Sequence, residues 1–123
     1  MGRRALLVVT ALLEGATGLA LLAVPVVPLW LLFAVKSPAP ETCIVARIGG
    51  AALASIAVVC WLARNNPPGQ TASLAGLLFY NVAAAGVLSS AGLILKLTGP
   101  LLWPGVALHT GLAIWCTLCL RAG

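Results

Sequence analysis

Residues 5 to 24 read ALLVVTALLEGATGLALLAV, and this stretch decides the class of the protein. It holds one charged residue, Glu14, and no proline. Twenty residues wound as an α-helix reach about 30 Å, the thickness of a bilayer's hydrocarbon core. Arg3 and Arg4 stand before the run, and Pro25 and Pro28 follow it. Three further runs have the same build: about 42–63, 72–95 and 101–120, closed by Arg64, Lys96 and Arg121. Turn signals separate them: Pro38 and Pro40, then Asn65-Asn66-Pro67-Pro68-Gly69-Gln70, then Thr98-Gly99-Pro100.

Backbone groups in lipid must be satisfied internally, which leaves helices or barrel strands. Unbroken apolar runs lack the alternation of barrel strands. The predicted fold is therefore all-α, an integral-membrane four-helix bundle forming one transmembrane domain over residues 1–123. The segment 26–35 is about 15 Å long if helical, too short to span. It reads as a short interfacial helix anchored by Trp30, or as a kinked extension of the first span. Two prolines three apart favour the former.

Composition agrees. Of 123 residues, 62% are hydrophobic and 7% are charged, against about 25% charged in an ordinary soluble domain. So few charges cannot cover a water-soluble surface. That excludes a soluble enzyme, a disordered tail and a nucleic-acid binder, which needs its basic residues clustered on one face. The lipid bilayer is the expected partner, and a homo-oligomer or larger membrane complex is compatible with so small a bundle. The arginines Arg3, Arg4, Arg64 and Arg121 fall on one side and Lys36 and Lys96 on the other. The positive-inside rule then places both termini in the cytoplasm. The opening Arg-Arg and apolar run resemble a signal peptide, but Glu14 interrupts the apolar region, so an uncleaved first span is expected.

Four polar residues fall inside the spans: Glu14, Arg47, Asn81 and His109. A charge at the bilayer centre costs about 3 kcal/mol on insertion scales, so such groups turn inward and find partners. Counting from the run boundaries puts Glu14 about 13 Å from one face, Asn81 at a similar depth and His109 about 12 Å from the other. Three helices thus bring a polar group near one plane. Arg47 lies nearer the outer face, where it can snorkel outward or reach toward Glu14. Small residues accompany these groups: Ala11, Gly15 and Gly18 beside Glu14; Gly50, Ala51 and Ala54 with Arg47 and Trp61; Ala85 and Gly92 with Asn81. Membrane helices pack through such residues, which leaves the bulky Leu and Val facing lipid. Tyr80, about 100° around the helix from Asn81, belongs at a helix interface. Glu14, Arg47, Tyr80, Asn81 and His109 form the candidate binding or proton site, either a structural hydrogen-bond network or a midplane cavity.

Cys116 and Cys119 form a C-x-x-C within the last run, with His109 seven residues earlier on the same face. This stripe could ligate a soft metal. Against that stands the ordinary role of cysteine as a small apolar residue, the favoured reading here. No cofactor is expected, since His109 has no second histidine or internal methionine to complete an axial pair.

The segments LLEGATGLALLAVP (12–25), VARIGGAALASIAVVCWLAR (45–64), LLFYNVAAA (77–85) and LLWPGVALHTGLAIWC (101–116) span nearly the whole chain. Together they resemble small bacterial four-span membrane proteins of unknown function, broadly DoxX-like in architecture. The resemblance implies a compact four-helix bundle in a bacterial inner membrane and no particular activity. The expectation is a protein without catalytic activity that serves as an accessory subunit or binds a lipophilic ligand. A proton-coupled transporter using Glu14 and a thiol-dependent metal or redox protein are the alternatives.

Overall fold

The structure, a computed structural model, describes residues 2–122. Five helices follow one another: α1 (Arg3–Ala23), α2 (Val26–Phe33), α3 (Pro40–Ala63), α4 (Pro67–Leu93) and α5 (Leu102–Arg121). All but α2 are long and apolar enough to cross a membrane. No strand occurs among the described residues.

The helix ends follow from local chemistry. Both α3 and α4 begin on a proline, whose fixed φ suits the first helical turn and whose missing N–H is unneeded there. That corrects the expected start of the third span. The segment 67–70, read as loop, is its first turn, because Pro67 and Pro68 start a helix as readily as they end one. The span ends at Leu93, two residues earlier than expected. Between α1 and α2 the backbone breaks at Val24 (φ −138°). Pro28 is then the third residue of α2, a first-turn position where an N–H would have no intrahelical acceptor, so the one that proline lacks is not missed. Hence two prolines three apart yield a separate short helix.

Arg3 shows how the ends gather. Its Nε donates to the Cys119 carbonyl (3.2 Å) and its Nη1 to Thr71 Oγ1 (3.1 Å). The start of α1, the start of α4 and the end of α5 thus lie together at an arginine-bearing end. Nearby in sequence, the Arg64 guanidinium stacks 3.9 Å from the Trp61 ring centroid and donates to the Trp61 carbonyl. At the opposite, lysine-bearing end, α2 is tied to α5 by Leu101 N–H donating to the Leu31 carbonyl (2.8 Å). Gly99 lies directly against the backbone at Leu32 and Phe33, leaving no room for a Cβ.

The helices pair as α1 with α3 and α4 with α5, and the two pairs meet more sparsely. Gly18 and Gly50 make the first crossing: a Cβ on Gly18 would come within 2.7 Å of the Gly50 carbonyl, and one on Gly50 within 2.7 Å of the Gly18 carbonyl. Small residues do mediate close approach, as their spacing predicts. The expectation that leucines mostly face lipid needs correction toward the arginine end. There Leu6, Leu7, Leu74, Leu77 and Leu112 close a core with Cys60, Cys116 and Cys119. Four helices converging at that end leave interior volume that glycine and alanine do not fill. Many of the other large apolar side chains, Ile44, Val45, Leu62, Phe79 and Ile94 among them, are exposed on the outside of the bundle, as a lipid-facing surface requires.

Candidate midplane polar site

Glu14 stands mid-way along α1, about 17 Å from its first residue. It is buried, on the face that also carries Thr10, Ala11 and Gly18. Its partner comes from α4: Tyr80 Oη donates to Glu14 Oε2 at 3.1 Å. The next residue, Asn81, is rotated about 100° around α4 and serves a different helix. Asn81 is fully buried. Its Nδ2 donates to the Leu77 carbonyl one turn back (2.8 Å), and its Oδ1 lies 2.8 Å from His109 Nδ1 on α5. The two pairs touch: the Tyr80 and His109 rings pack edge to face, centroids 5.5 Å apart at 86°. One carboxyl, one phenol, one amide and one imidazole from three helices thus form a continuous cluster. Its groups are able to hold a proton or receive the polar end of a ligand.

Of the five candidate residues, the structure brings together Glu14, Tyr80, Asn81 and His109. Arg47 does not join them. It is exposed on the outer flank of α3 and forms neither a hydrogen bond nor an ion pair with a described residue. The reason is angular. Gly50, which α3 turns toward α1, lies about 60° around the helix from Arg47, and that rotation carries the guanidinium out of the bundle. Ala51 and Trp61, expected on the same inner stripe, are exposed as well. The inner face of α3 runs instead through Gly50, Cys60 and Ala63. Tyr80's position beside an interface follows from the sequence, but its bond to Glu14 does not. The signal available was chemical: this is the single tyrosine of the chain, and a phenol within an apolar span needs a hydrogen-bond partner.

Thr10 is a residue that the sequence reading passed over. It is fully buried one turn from Glu14, and its Oγ1 has no hydrogen-bond partner among the described residues. Cys116 and Cys119 are buried in the core. Among the described residues no three His, Cys, Asp or Glu side chains gather as metal ligands, so the stripe does not provide a closed metal site.

Beside the cluster runs an apolar groove of about 470 Å³ toward the lysine end. Ala16 and Ala20 of α1, Leu31 and Leu32 of α2 and Gly105 of α5 are among its walls, and His109 also lines it. At Gly105 a Cβ would stand 3.4 Å from Leu88, so the glycine keeps this part of the groove wide. His109 therefore belongs both to the polar cluster and to the groove. No family model, curated protein or solved structure matches the chain. The likeness to DoxX-like proteins accordingly rests on the sequence segments alone.

Proposed function

We propose that this multi-pass membrane protein binds a lipophilic ligand in the groove between α1, α2 and α5, with the midplane cluster receiving the ligand's polar end. The protein acts without catalysis, in a bacterial inner membrane, with both termini in the cytoplasm and the lysine end outward. The observation that carries this reading is the double membership of His109, whose Nδ1 meets Asn81 while its ring lines the groove. Purely structural packing would not require a groove ending on an imidazole. Ligand sites are concave, mostly apolar and finished by a few placed polar groups, and this groove has that form. The test is photolabelling of the purified protein in nanodiscs with a diazirine-bearing C15 prenyl probe. Labelling should saturate and concentrate on Leu31, Leu32 and Leu108. Ala16→Phe, which fills the groove from an exposed position, should lower it several-fold. Unsaturable labelling spread over all outer faces would defeat the proposal.

A second reading is proton-coupled transport by an oligomer. It is favoured by the Tyr80–Glu14 bond, which places an intramembrane carboxyl in contact with a second helix. Glu14→Gln should then leave the protein folded in the membrane and abolish proton-coupled flux in proteoliposomes. Flux unchanged by that substitution removes this reading.

A further inference from the structure

We infer that the ligand is a lipid-soluble hydroxyl donor, a long-chain or isoprenoid alcohol or phenol, selected over ketones and ethers of the same shape. This rests on the groove reading above and adds to it the chemistry of the polar end. The chain of logic starts from an atom that can only accept. The Leu77 carbonyl takes a hydrogen bond from Asn81 Nδ2, which fixes which end of the Asn81 amide faces which way. Asn81 Oδ1 must then face His109 Nδ1, at 2.8 Å. An amide oxygen also only accepts, so Nδ1 carries the proton. In the neutral ring the lone pair is left on Nε2, and no described residue takes it. A ligand reaching the ring from the groove meets an acceptor there and must bring a donor to that nitrogen. Thr17, the other polar side chain of the wall, can donate or accept and therefore does not oppose a ligand hydroxyl. A ketone or ether brings a second acceptor and leaves two lone pairs facing each other in a dry site, which costs free energy on both sides.

A bare metal ion is the other partner a lone pair could take. It needs several ligands, and among the described residues no three such side chains gather. The walls carry no charged side chain to hold an ionic headgroup either. Asn81 is thereby a positioning residue: it sets the tautomer of His109 without touching the ligand.

The chain has a single histidine, so ring-15N histidine in nanodiscs gives one pair of ring signals. The ligand-free protein should show a protonated Nδ1 and a bare Nε2. Farnesol should displace the photoprobe and move the Nε2 signal saturably. Farnesyl methyl ether, of nearly the same shape without the hydroxyl proton, should bind about ten-fold more weakly, the worth of one hydrogen bond. In Asn81→Leu the alcohol's advantage should shrink toward parity, whereas a merely structural Asn81 would weaken both probes alike. Should that variant fail to fold, the wild-type spectrum and the ratio of the two probes decide. A protonated Nε2 in the ligand-free protein, or equal affinity for the two probes, overturns the inference while leaving the groove a ligand site. Failure of both to displace the photoprobe overturns the ligand-site reading itself.

Discussion

Tyr80 and Thr10 are opposite cases of one rule: a buried polar atom is cheap when bonded and costly when not. Tyr80 satisfies one oxygen of Glu14. Tyr80→Phe keeps the ring against His109 and removes the donor, so it should destabilise the protein by about 1–3 kcal/mol, read from unfolding in mixed detergent–SDS micelles. Thr10 Oγ1 has no partner. Thr10→Val replaces the orphan hydroxyl by a methyl and should be neutral or stabilising by up to about 1 kcal/mol in the same assay. A loss above that would mean that Thr10 holds an internal water. At this scale the sequence showed which residues are unusual but not which of them meet. Glu14, Asn81 and His109 are conspicuous because polar groups are expensive in an apolar span. The bond from Tyr80 depends on the rotation of α4 against α1, and the exclusion of Arg47 on that of α3. No spacing within a single helix reveals either rotation.

The helices were legible because each span has its own apolar run and its own stop. What the runs could not show is how tightly each pair closes. The α1–α3 crossing is backbone on backbone at Gly18 and Gly50, whereas neighbouring Gly49 faces open space. Gly50→Leu should therefore force the pair apart and cost about 1–3 kcal/mol or more. Gly49→Ala should be neutral or slightly favourable through helix propensity. Equal effects of the two substitutions on unfolding would contradict the crossing. The start of α4 was misread for a related reason. A Pro-Pro-Gly sequence is a turn signal on its own, yet a helix nucleus when apolar periodicity continues behind it. Where α2 begins, two prolines three apart favour a separate short helix over a kinked extension of α1. The position of Pro28 in the first turn explains why a separate helix costs nothing there.

Across the whole molecule, the distribution of basic residues and the direction of the helices make one joint claim. Arg3 bonded to Thr71 and to the Cys119 carbonyl brings three helix ends to the arginine side, and four spans return the chain to that side. Lys36 and Lys96 lie at the other. If the arginine side is cytoplasmic, two exposed loop positions report opposite faces. A membrane-impermeant maleimide should modify Thr98→Cys in intact spheroplasts and Asn65→Cys only in inverted vesicles. The native cysteines interfere little, because Cys60, Cys116 and Cys119 are buried. Cys43, half-buried near the lysine end of α3, should if anything react together with Thr98→Cys, and Cys43→Ala removes that background. Reaction of Thr98→Cys only in inverted vesicles would reverse the orientation. It would also move the groove to the cytoplasmic leaflet, so a ligand would enter from the inner monolayer. Reaction of both positions from one side would be incompatible with α4 crossing the membrane at all. The outcome thus bears on function as much as on topology: it decides which leaflet supplies whatever His109 binds.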